Sequence, residues 1–216
     1  MGSTNQKSII LSNDKKLYFK NISEKYQVIF VIKNPYSHKE SSIYRQICEE
    51  FNYNYLSTGD ILERICLENN QNKEYESIIE DVKNGDLITS KEMVNILKNE
   101  ILKIKNSKYI LIDGFPRNME NIIEWESIMN GITLIKKVLY IKITDEEIQK
   151  RLNDDNKLKQ SQNEKLEKQI NIFNDNIISL TEKYKNENLL IEIDGMKKED
   201  EIFKNIYQKF IKNKLF

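Results

Sequence analysis

Residues 33–42 combine lysines and hydroxyl groups in a spacing that suits phosphate chemistry. The segment reads Lys-Asn-Pro-Tyr-Ser-His-Lys-Glu-Ser-Ser and follows a short apolar run. A strand, a short loop and then a lysine with hydroxyl residues at the start of a helix is the layout of a phosphate-binding loop. A lysine at the amino end of a helix is electrostatically disfavoured unless an anion lies there. The alternative is an ordinary strand-to-helix turn with a solvated lysine.

The same segment lacks the glycines that such a loop normally uses. In the pattern GxxxxGK[ST], Lys33 and His38 occupy the two glycine places. Glycine lets the backbone form a concave nest that points N–H groups at phosphate oxygens. We expect Tyr36 and His38 each to add a strain of about 1 kcal/mol in that conformation. The sequence therefore predicts a degenerate phosphate loop.

Two further segments carry hydroxyl, carboxylate and guanidinium groups. Residues 56–62 read Leu-Ser-Thr-Gly-Asp-Ile-Leu, and residues 112–118 read Ile-Asp-Gly-Phe-Pro-Arg-Asn. Taken alone, the first is an ordinary helix cap and the second a loop with a trans or cis proline. Taken with the degenerate phosphate loop, in this order and spacing, the three segments are much more specific than any one of them.

Arginine is scarce, and this limits the chemistry available. The 216 residues include 34 Lys+Arg and 34 Asp+Glu, and only Arg45, Arg64, Arg117 and Arg151 are arginines. Arginine presents a planar fork that binds two phosphate or carboxylate oxygens at once, and lysine does not reproduce it. Any function that needs several such forks must use these four residues.

The composition also excludes several classes of protein. A formal net charge of zero argues against a general polyanion binder, and so against a nucleic-acid partner. No apolar run approaches the roughly 20 residues of a membrane span, and no signal segment is evident. The single histidine, His38, excludes a His-rich zinc site and leaves little room for a histidine-based triad. We expect a cytoplasmic monomer without a membrane partner.

Five short apolar runs alternate with segments of helical periodicity. They cover residues 28–32, 53–56, 109–112, 138–141 and 189–193. Strands that alternate with helices predict an α/β fold, a five-stranded parallel sheet wrapped by helices. We expect an N-terminal extension over residues 1–25, one domain over 26–216 and a last helix near 198–213. Ligands of such a sheet bind beyond the carboxyl ends of the strands, where the three segments described above lie.

From about residue 28 to residue 210, the chain resembles the nucleoside monophosphate kinases, the adenylate kinase and UMP–CMP kinase family. The resemblance implies a P-loop kinase-like fold with a helical acceptor-binding insert near 57–88 and a short lid near 152–162. It also implies direct in-line phosphoryl transfer from ATP, with Mg²⁺, to a nucleoside monophosphate such as AMP, CMP or UMP, without a covalent intermediate.

The resemblance implies roles for individual residues. Lys39 matches the loop lysine that holds the donor phosphates, and Arg117 matches the arginine that grips the acceptor phosphate; these two are the catalytic candidates. Asp60 and Asp113 match carboxylates that hold Mg²⁺ through water. The nucleotide-binding candidates are Pro35, Ser37, His38, Lys39, Ser41, Ser42, Thr58, Gly59, Arg64, Ile88, Gly114, Arg117, Asn121 and Arg151.

Within that set, Thr58 and Gly59 match the floor of the acceptor site, and Arg151 matches an arginine that packs on the donor adenine. Ile88 belongs to a Gly-Asp-Leu-Ile stretch that resembles the lining of the acceptor base. Adenylate kinases have Gln at the position of Asn121 and UMP–CMP kinases have Asn. The resemblance therefore favours a pyrimidine acceptor.

The chain departs from the family pattern at charged positions. The family has an arginine where this chain has Glu63, and Arg64 is rotated from that position by about 100° on a helix. Four family lid positions, two of arginine and two of aspartate, hold Leu158, Gln160, Ser161 and Gln169. Nearby lysines could substitute in part: Lys157, Lys159, Lys165 and Lys168. Two hypotheses follow: a kinase of weak or altered activity, or a catalytically inactive relative that binds nucleotide or serves as a scaffold for a protein partner.

Overall fold

The computed structural model describes residues 25–34, 40–69, 72–144, 146–148, 150 and 160–216. The predicted extension over residues 1–25 lies outside this part of the chain, apart from residue 25. Five of the predicted site residues, Pro35, Ser37, His38, Lys39 and Arg151, also lie outside the described residues. So does most of the predicted lid.

Strands and helices alternate along the described chain as the apolar pattern predicts. The strands are β1 (Tyr26–Lys33), β2 (Asn54–Ser57), β3 (Tyr109–Asp113), β4 (Thr133–Lys142) and β5 (Leu190–Asp194). The helices are α1 (Glu40–Glu50), α2 (Thr58–Glu68), α3 (Glu76–Asn84), α4 (Ser90–Lys103), α5 (Met119–Ile128), α6 (Gln160–Asn186) and α7 (Glu199–Lys212), with a 3₁₀ turn at Lys73–Tyr75.

The five strands form one parallel sheet in the order β2-β3-β1-β4-β5. This confirms the predicted α/β fold with a five-stranded parallel sheet. Strand β4 begins at Thr133, five residues before the predicted run at residue 138. Lys136 and Lys137 interrupt the apolar pattern there, so the first half of β4 does not read as a buried strand in the sequence.

Strand β1 lies at the centre of the sheet and separates two apolar layers. Alternate side chains of a strand point to opposite faces. Phe30 accordingly packs in the layer with α4, α5 and α6, and Ile29 in the layer with α1 and α7. Both side chains are fully buried. A central strand covered on both faces by helices accounts for the continuous apolar run that marks it in the sequence.

The helical segments between β2 and α4 fall in the range predicted for an acceptor-binding insert. Helix α2 begins directly after β2, and Gly85 ends α3 with a φ of 74°. A Cβ atom on Gly85 would lie 2.5 Å from Cγ of Lys165 on α6. Helix α6 therefore packs directly on the end of α3. In the described part of the chain, no helix has the length and apolarity needed to cross a membrane.

Candidate functional site

A cavity of about 620 Å³ lies at the carboxyl ends of β1, β2 and β3. Helices α1 to α6 and the segments around residues 86–88 and 114–117 contribute its remaining walls. Of the predicted site residues, the structure brings Ser41, Thr58, Gly59, Asp60, Ile88, Asp113, Gly114, Arg117 and Asn121 together on its lining. This size and position are those of a small-molecule site in an open α/β fold.

The loop after β3 is held rigidly at the floor of the cavity. Gly114 N donates to the carbonyl oxygen of Val31 in β1, at 3.1 Å. The Thr58 hydroxyl lies 3.1 Å from the carbonyl oxygen of Asp113 and 3.2 Å from that of Gly114. Gly114 has a φ of 82°, and a Cβ atom there would lie 2.6 Å from Oγ1 of Thr58. This position therefore requires glycine, both for its backbone conformation and for its close contact with α2.

Arg117 is fixed beside this floor by two hydrogen bonds. Its backbone N donates to Oδ1 of Asn121 at 2.9 Å, and its side-chain Nε donates to the carbonyl oxygen of Gly114 at 3.3 Å. Burial lowers the pKa of its guanidinium, and the charge of Asp113 offsets this in part. Among the described residues, no carboxylate forms an ion pair with Arg117. A desolvated guanidinium on a cavity wall is a site for an anion.

Asn121 supports Arg117 through a short polar network. Its Nδ2 donates to Oγ of Ser90 at 2.8 Å, and Oγ of Ser90 donates to Glu120 at 2.9 Å. Its own backbone N donates to Oδ1 of Asn118, which caps α5. Asn121 is 4% exposed, and both ends of its amide bond to the protein. Its first role is therefore to position Arg117.

Asp113 lies at the end of β3 and receives several donors. Its Oδ2 lies 2.8 Å from Nζ of Lys33, 2.6 Å from the Tyr55 hydroxyl and 3.4 Å from Oγ of Ser41. Burial raises the pKa of the Tyr55 phenol, and the charge of Asp113 adds to that effect. The phenol thus stays protonated and donates to the carboxylate. Oδ1 of Asp113 is buried and has no hydrogen-bond partner among the described residues.

Asp60, in the first turn of α2, is also paired with a cation. NH2 of Arg45 on α1 lies 2.6 Å from Oδ2 of Asp60, and the same guanidinium stacks 4.5 Å from the centre of the Tyr55 ring. More than half of each charged side chain is exposed. The pair therefore links α1 to α2 and adds little to stability.

The two carboxylates predicted to hold Mg²⁺ therefore do not offer a prepared site. Lys33 already neutralises Asp113, and Arg45 neutralises Asp60. In the part of the chain that the structure covers, no three His, Cys, Asp or Glu side chains converge as metal ligands would. This arrangement does not fit a divalent cation at Asp113.

Glu63 and Arg64 lie on different sides of α2. Glu63 lines the cavity, at the position where the resemblance implies an arginine. Arg64 does not line the cavity; its NH2 lies 3.0 Å from Oε2 of Glu100 on α4. Burial raises the pKa of Glu100, but hydrogen bonds from Lys103 and Arg64 outweigh this and hold it below its ordinary value. The structure thus places Arg64 with Glu100 and not with the other site residues.

Two lysines of α6 contact the acceptor-side helices. Nζ of Lys165 donates to the carbonyl oxygen of Val82, and Lys168 forms an ion pair with Asp86. Both lysines were candidates to replace missing lid arginines. In this structure their charges bind the end of α3 and the segment after it. They join α6 to the cavity wall.

The sequence pattern predicts most of the acceptor-side residues but not Lys33, Tyr55 and Arg45, which contact the two carboxylates Asp113 and Asp60. Lys33 was assigned only to a glycine place, and the other two had no role. Ser42 is exposed and does not line the cavity. Lys33 and Tyr55 could be found only from the strand order, since β1 and β2 both neighbour β3, and Arg45 only from the position of α1 beside α2.

Comparison with known proteins shows the family of the chain. A sequence model described as adenylate kinase matches residues 32–189. The chain belongs to the adenylate kinase family. It is 30% identical to UMP-CMP kinase 3 of Oryza sativa subsp. japonica, over 85% of this chain and 85% of that protein. It is 30% identical to the UMP-CMP kinase of Danio rerio, over 86% and 98%. The identity to the Homo sapiens UMP-CMP kinase is 29%, over 86% and 97%.

Proposed function

We propose that this adenylate kinase family member binds a nucleoside monophosphate in the cavity and transfers a phosphoryl group to it from ATP, with weak or altered activity. One observation carries the proposal: the partly buried Arg117 lies on the cavity wall, held by Asn121 and Gly114, without a carboxylate partner among the described residues. A monophosphate supplies the missing anion. The family membership supports the same reaction class.

The cavity is lined by both polar and apolar residues, as a nucleoside monophosphate requires. Arg117 and Thr58 both contact Gly114, and this polar group suits the phosphate. The apolar part is lined by Leu62, Ile88, Met93, Ile172 and Phe173. Flat, weakly polar bases are accommodated by such side chains. We propose that the base lies against them and that Arg117 binds the phosphate.

In the proposed reaction, an oxygen of the acceptor phosphate attacks the γ-phosphorus of ATP. The bond between that phosphorus and the β,γ-bridging oxygen breaks, and the electron pair leaves with ADP. Catalysis of this kind depends on positioning and on stabilising the charge spread over the moving group. Arg117 would contribute one fixed positive charge, and Lys39 remains the predicted contributor on the donor side. Glu63, in place of an arginine, is the reason we expect weak activity.

We propose a pyrimidine acceptor. Asn121, at the position where UMP–CMP kinases have Asn, lines the cavity. The relatives described above are named UMP-CMP kinases. One N–H of the Asn121 amide is not used by Ser90 and can donate to a base carbonyl. CMP and UMP are accordingly the expected ligands. Mg²⁺, which nucleoside monophosphate kinases generally use, would arrive bound to ATP. A cytoplasmic location and a monomeric state complete the proposal.

A catalytically inactive nucleotide-binding protein is the second candidate. The observation that favours it is the pairing of both predicted metal carboxylates, Asp113 with Lys33 and Asp60 with Arg45. Such a protein would bind the monophosphate through Arg117 and would transfer no phosphoryl group. It would then act as a scaffold or as a subunit in a complex with a protein partner.

Two measurements test the proposal. Calorimetric titration with CMP, UMP, AMP and GMP is expected to give saturable binding, tightest for a pyrimidine nucleotide and weakened in Arg117→Met. A coupled assay that detects ADP then separates the two candidates, since only the kinase forms ADP in a CMP- or UMP-dependent way. Absence of binding by all four nucleotides would refute the kinase and would leave only an inactive scaffold that binds no nucleotide.

A further inference from the structure

Lys33 occupies an unusual place for a lysine. It is the last residue of the central strand β1, directly after five buried apolar residues. Asp113 is the last residue of β3, which pairs with β1 in parallel. Both side chains therefore emerge at the same edge of the sheet, on the wall of the cavity.

The Lys33 ammonium contacts two oxygen atoms and one aromatic ring. Its Nζ lies 2.8 Å from Oδ2 of Asp113 and 3.1 Å from Oγ of Ser41, the second residue of α1. The Tyr44 ring faces it, with 5.3 Å between Nζ and the ring centre. Only 13% of the Lys33 side chain and 3% of the Asp113 side chain are exposed. The contact is thus a largely desolvated charge pair.

The same set of oxygens is one that Mg²⁺ would prefer. Hard divalent cations bind carboxylate and hydroxyl oxygens. Here a serine hydroxyl and an aspartate carboxylate converge on one point, and a cation already lies there. A second cation next to the ammonium, in a partly desolvated place, would be strongly repelled. The site therefore holds Lys33 or a metal ion beside Asp113, but not both.

We propose that Lys33 is a built-in cation, which takes the place of a divalent ion between Ser41 and Asp113. The chain then binds no Mg²⁺ at this point, and a nucleotide phosphate nearby meets the neutral pair of Lys33 and Asp113 in place of a divalent ion. The proposal rests on the proposed function for its link to nucleotide phosphate, because phosphate is the anion expected in this cavity. The replacement of Mg²⁺ by the Lys33 ammonium does not itself depend on a nucleotide.

The test compares the response of three proteins to Mg²⁺ alone, without nucleotide. Wild type is expected to keep the same thermal unfolding midpoint with and without millimolar MgCl₂. Lys33→Met leaves a buried carboxylate without its cation, which lowers the midpoint. Mg²⁺ is expected to restore it, because the metal now enters the vacated place. Lys33→Met combined with Asp113→Asn is expected to show no response to Mg²⁺.

Electron paramagnetic resonance with Mn²⁺ gives the same comparison without reliance on unfolding. We expect Lys33→Met to bind one Mn²⁺ more than the double variant, and wild type to bind no more than Asp113→Asn. A wild-type protein that binds Mn²⁺ in a way lost in Asp113→Asn would overturn the proposal. So would a Lys33→Met protein that gains no Mn²⁺ site. If Lys33→Met does not fold, the pair of wild type and Asp113→Asn still decides.

The outcome is separable from that of the proposed function. If nucleotide binds but wild type also holds a metal ion at Asp113, the proposal that Lys33 replaces the metal is wrong and the proposed function stands. If the cation exchange is observed and no nucleotide binds, the proposed function fails alone. If the proposed function and the built-in cation are both correct, the Kd of wild type for CMP is expected to differ by less than about twofold between excess EDTA and excess Mg²⁺.

Discussion

On the side of the site formed by β1 and α1, Lys33 and Arg45 each bond to a carboxylate, whereas on the acceptor side Arg117 has no acidic partner among the described residues. Lys33 and Arg117 both line the same cavity, and both are cations. The difference lies in whether the positive charge is already neutralised. A charge that is partly removed from water is stable when it is paired, so an unpaired one indicates where an external anion belongs.

The same contrast applies to the arginines themselves. Arg45 and Arg64 contact Asp60 and Glu100 at 2.6 Å and 3.0 Å, and about half of each side chain is exposed. Arg117 is instead held through its backbone and its Nε. Protein contacts thus use the charge of the first two, while the third presents its charge to the cavity. The predictions that follow test this division, in order of decreasing effect.

The largest effect is expected at Arg117. Arg117→Met should lower kcat/KM for phosphoryl transfer to CMP by about 10²–10³-fold, because it removes a fixed charge from the transition state. Arg64→Met should change it by at most about fivefold, since that guanidinium lies in an exposed ion pair worth about 0–1 kcal/mol. Steady-state kinetics of both variants measure the ratio. A larger loss at Arg64 than at Arg117 would reverse the comparison.

The next effect is on stability, at the glycine below Arg117. At Gly114 the φ is 82°, and an added Cβ atom would lie 2.6 Å from Oγ1 of Thr58. At Gly131 the φ is 80°, and an added Cβ atom would have no non-neighbouring atom within 4 Å. Gly131→Ala should lower the free energy of unfolding by about 1–2 kcal/mol, the backbone cost alone. Gly114→Ala should lower it by about 1–3 kcal/mol more, because the floor of the cavity is overpacked. Equal losses in urea unfolding would show that the contact with Thr58 is unimportant.

A smaller effect is expected from pH at Glu100. Folding lowers its pKa below the ordinary value of 4.5, although burial acts in the opposite direction. A carboxyl group whose pKa is lowered stabilises the fold above its unfolded pKa, and that contribution is lost as the pH falls through the folded value. The difference in unfolding midpoint between wild type and Glu100→Gln should be present at neutral pH and disappear in acid. A difference that does not change with pH would argue against the ion pair with Arg64.

The smallest effect is expected at the exposed pair of Arg45 and Asp60. Arg45→Met should change the free energy of unfolding by less than about 1 kcal/mol, and molar salt should reduce the difference further. Urea unfolding at low and high salt checks this. A change comparable to that of Gly114→Ala would mean that Arg45 stabilises the start of α2 far more than its exposure indicates.

The sheet could be predicted from sequence because its strands are short, apolar and regularly spaced. The beginning of β4 could not, since Lys136 and Lys137 lie in a half-buried part of that strand. For α2, helical geometry alone separates Glu63 from Arg64. That Arg64 would find Glu100, on a helix distant in sequence, requires the packing of α2 near α4.

The acceptor side of the site was predicted better than the other side for a local reason. Gly114, Arg117 and Asn121 lie within eight residues, so their mutual positions follow largely from one loop and one helix cap. Lys33, Tyr55 and Asp113 come from three strands, and they meet only because β3 lies between β1 and β2. The order of strands in a parallel sheet cannot be read from apolar periodicity. Contacts that depend on it therefore emerged only with the structure.

The central claim, that Arg117 binds the phosphate of a nucleoside monophosphate, can be tested directly by nuclear magnetic resonance of the arginine Nε–H groups. The four arginines give four side-chain signals, which Arg→Lys variants assign. Upon addition of CMP or UMP, the account predicts that the Arg117 signal moves to saturation while those of Arg45 and Arg64 stay in place. A spectrum in which Arg117 is unchanged at saturating nucleotide, or in which Arg64 moves instead, would contradict it.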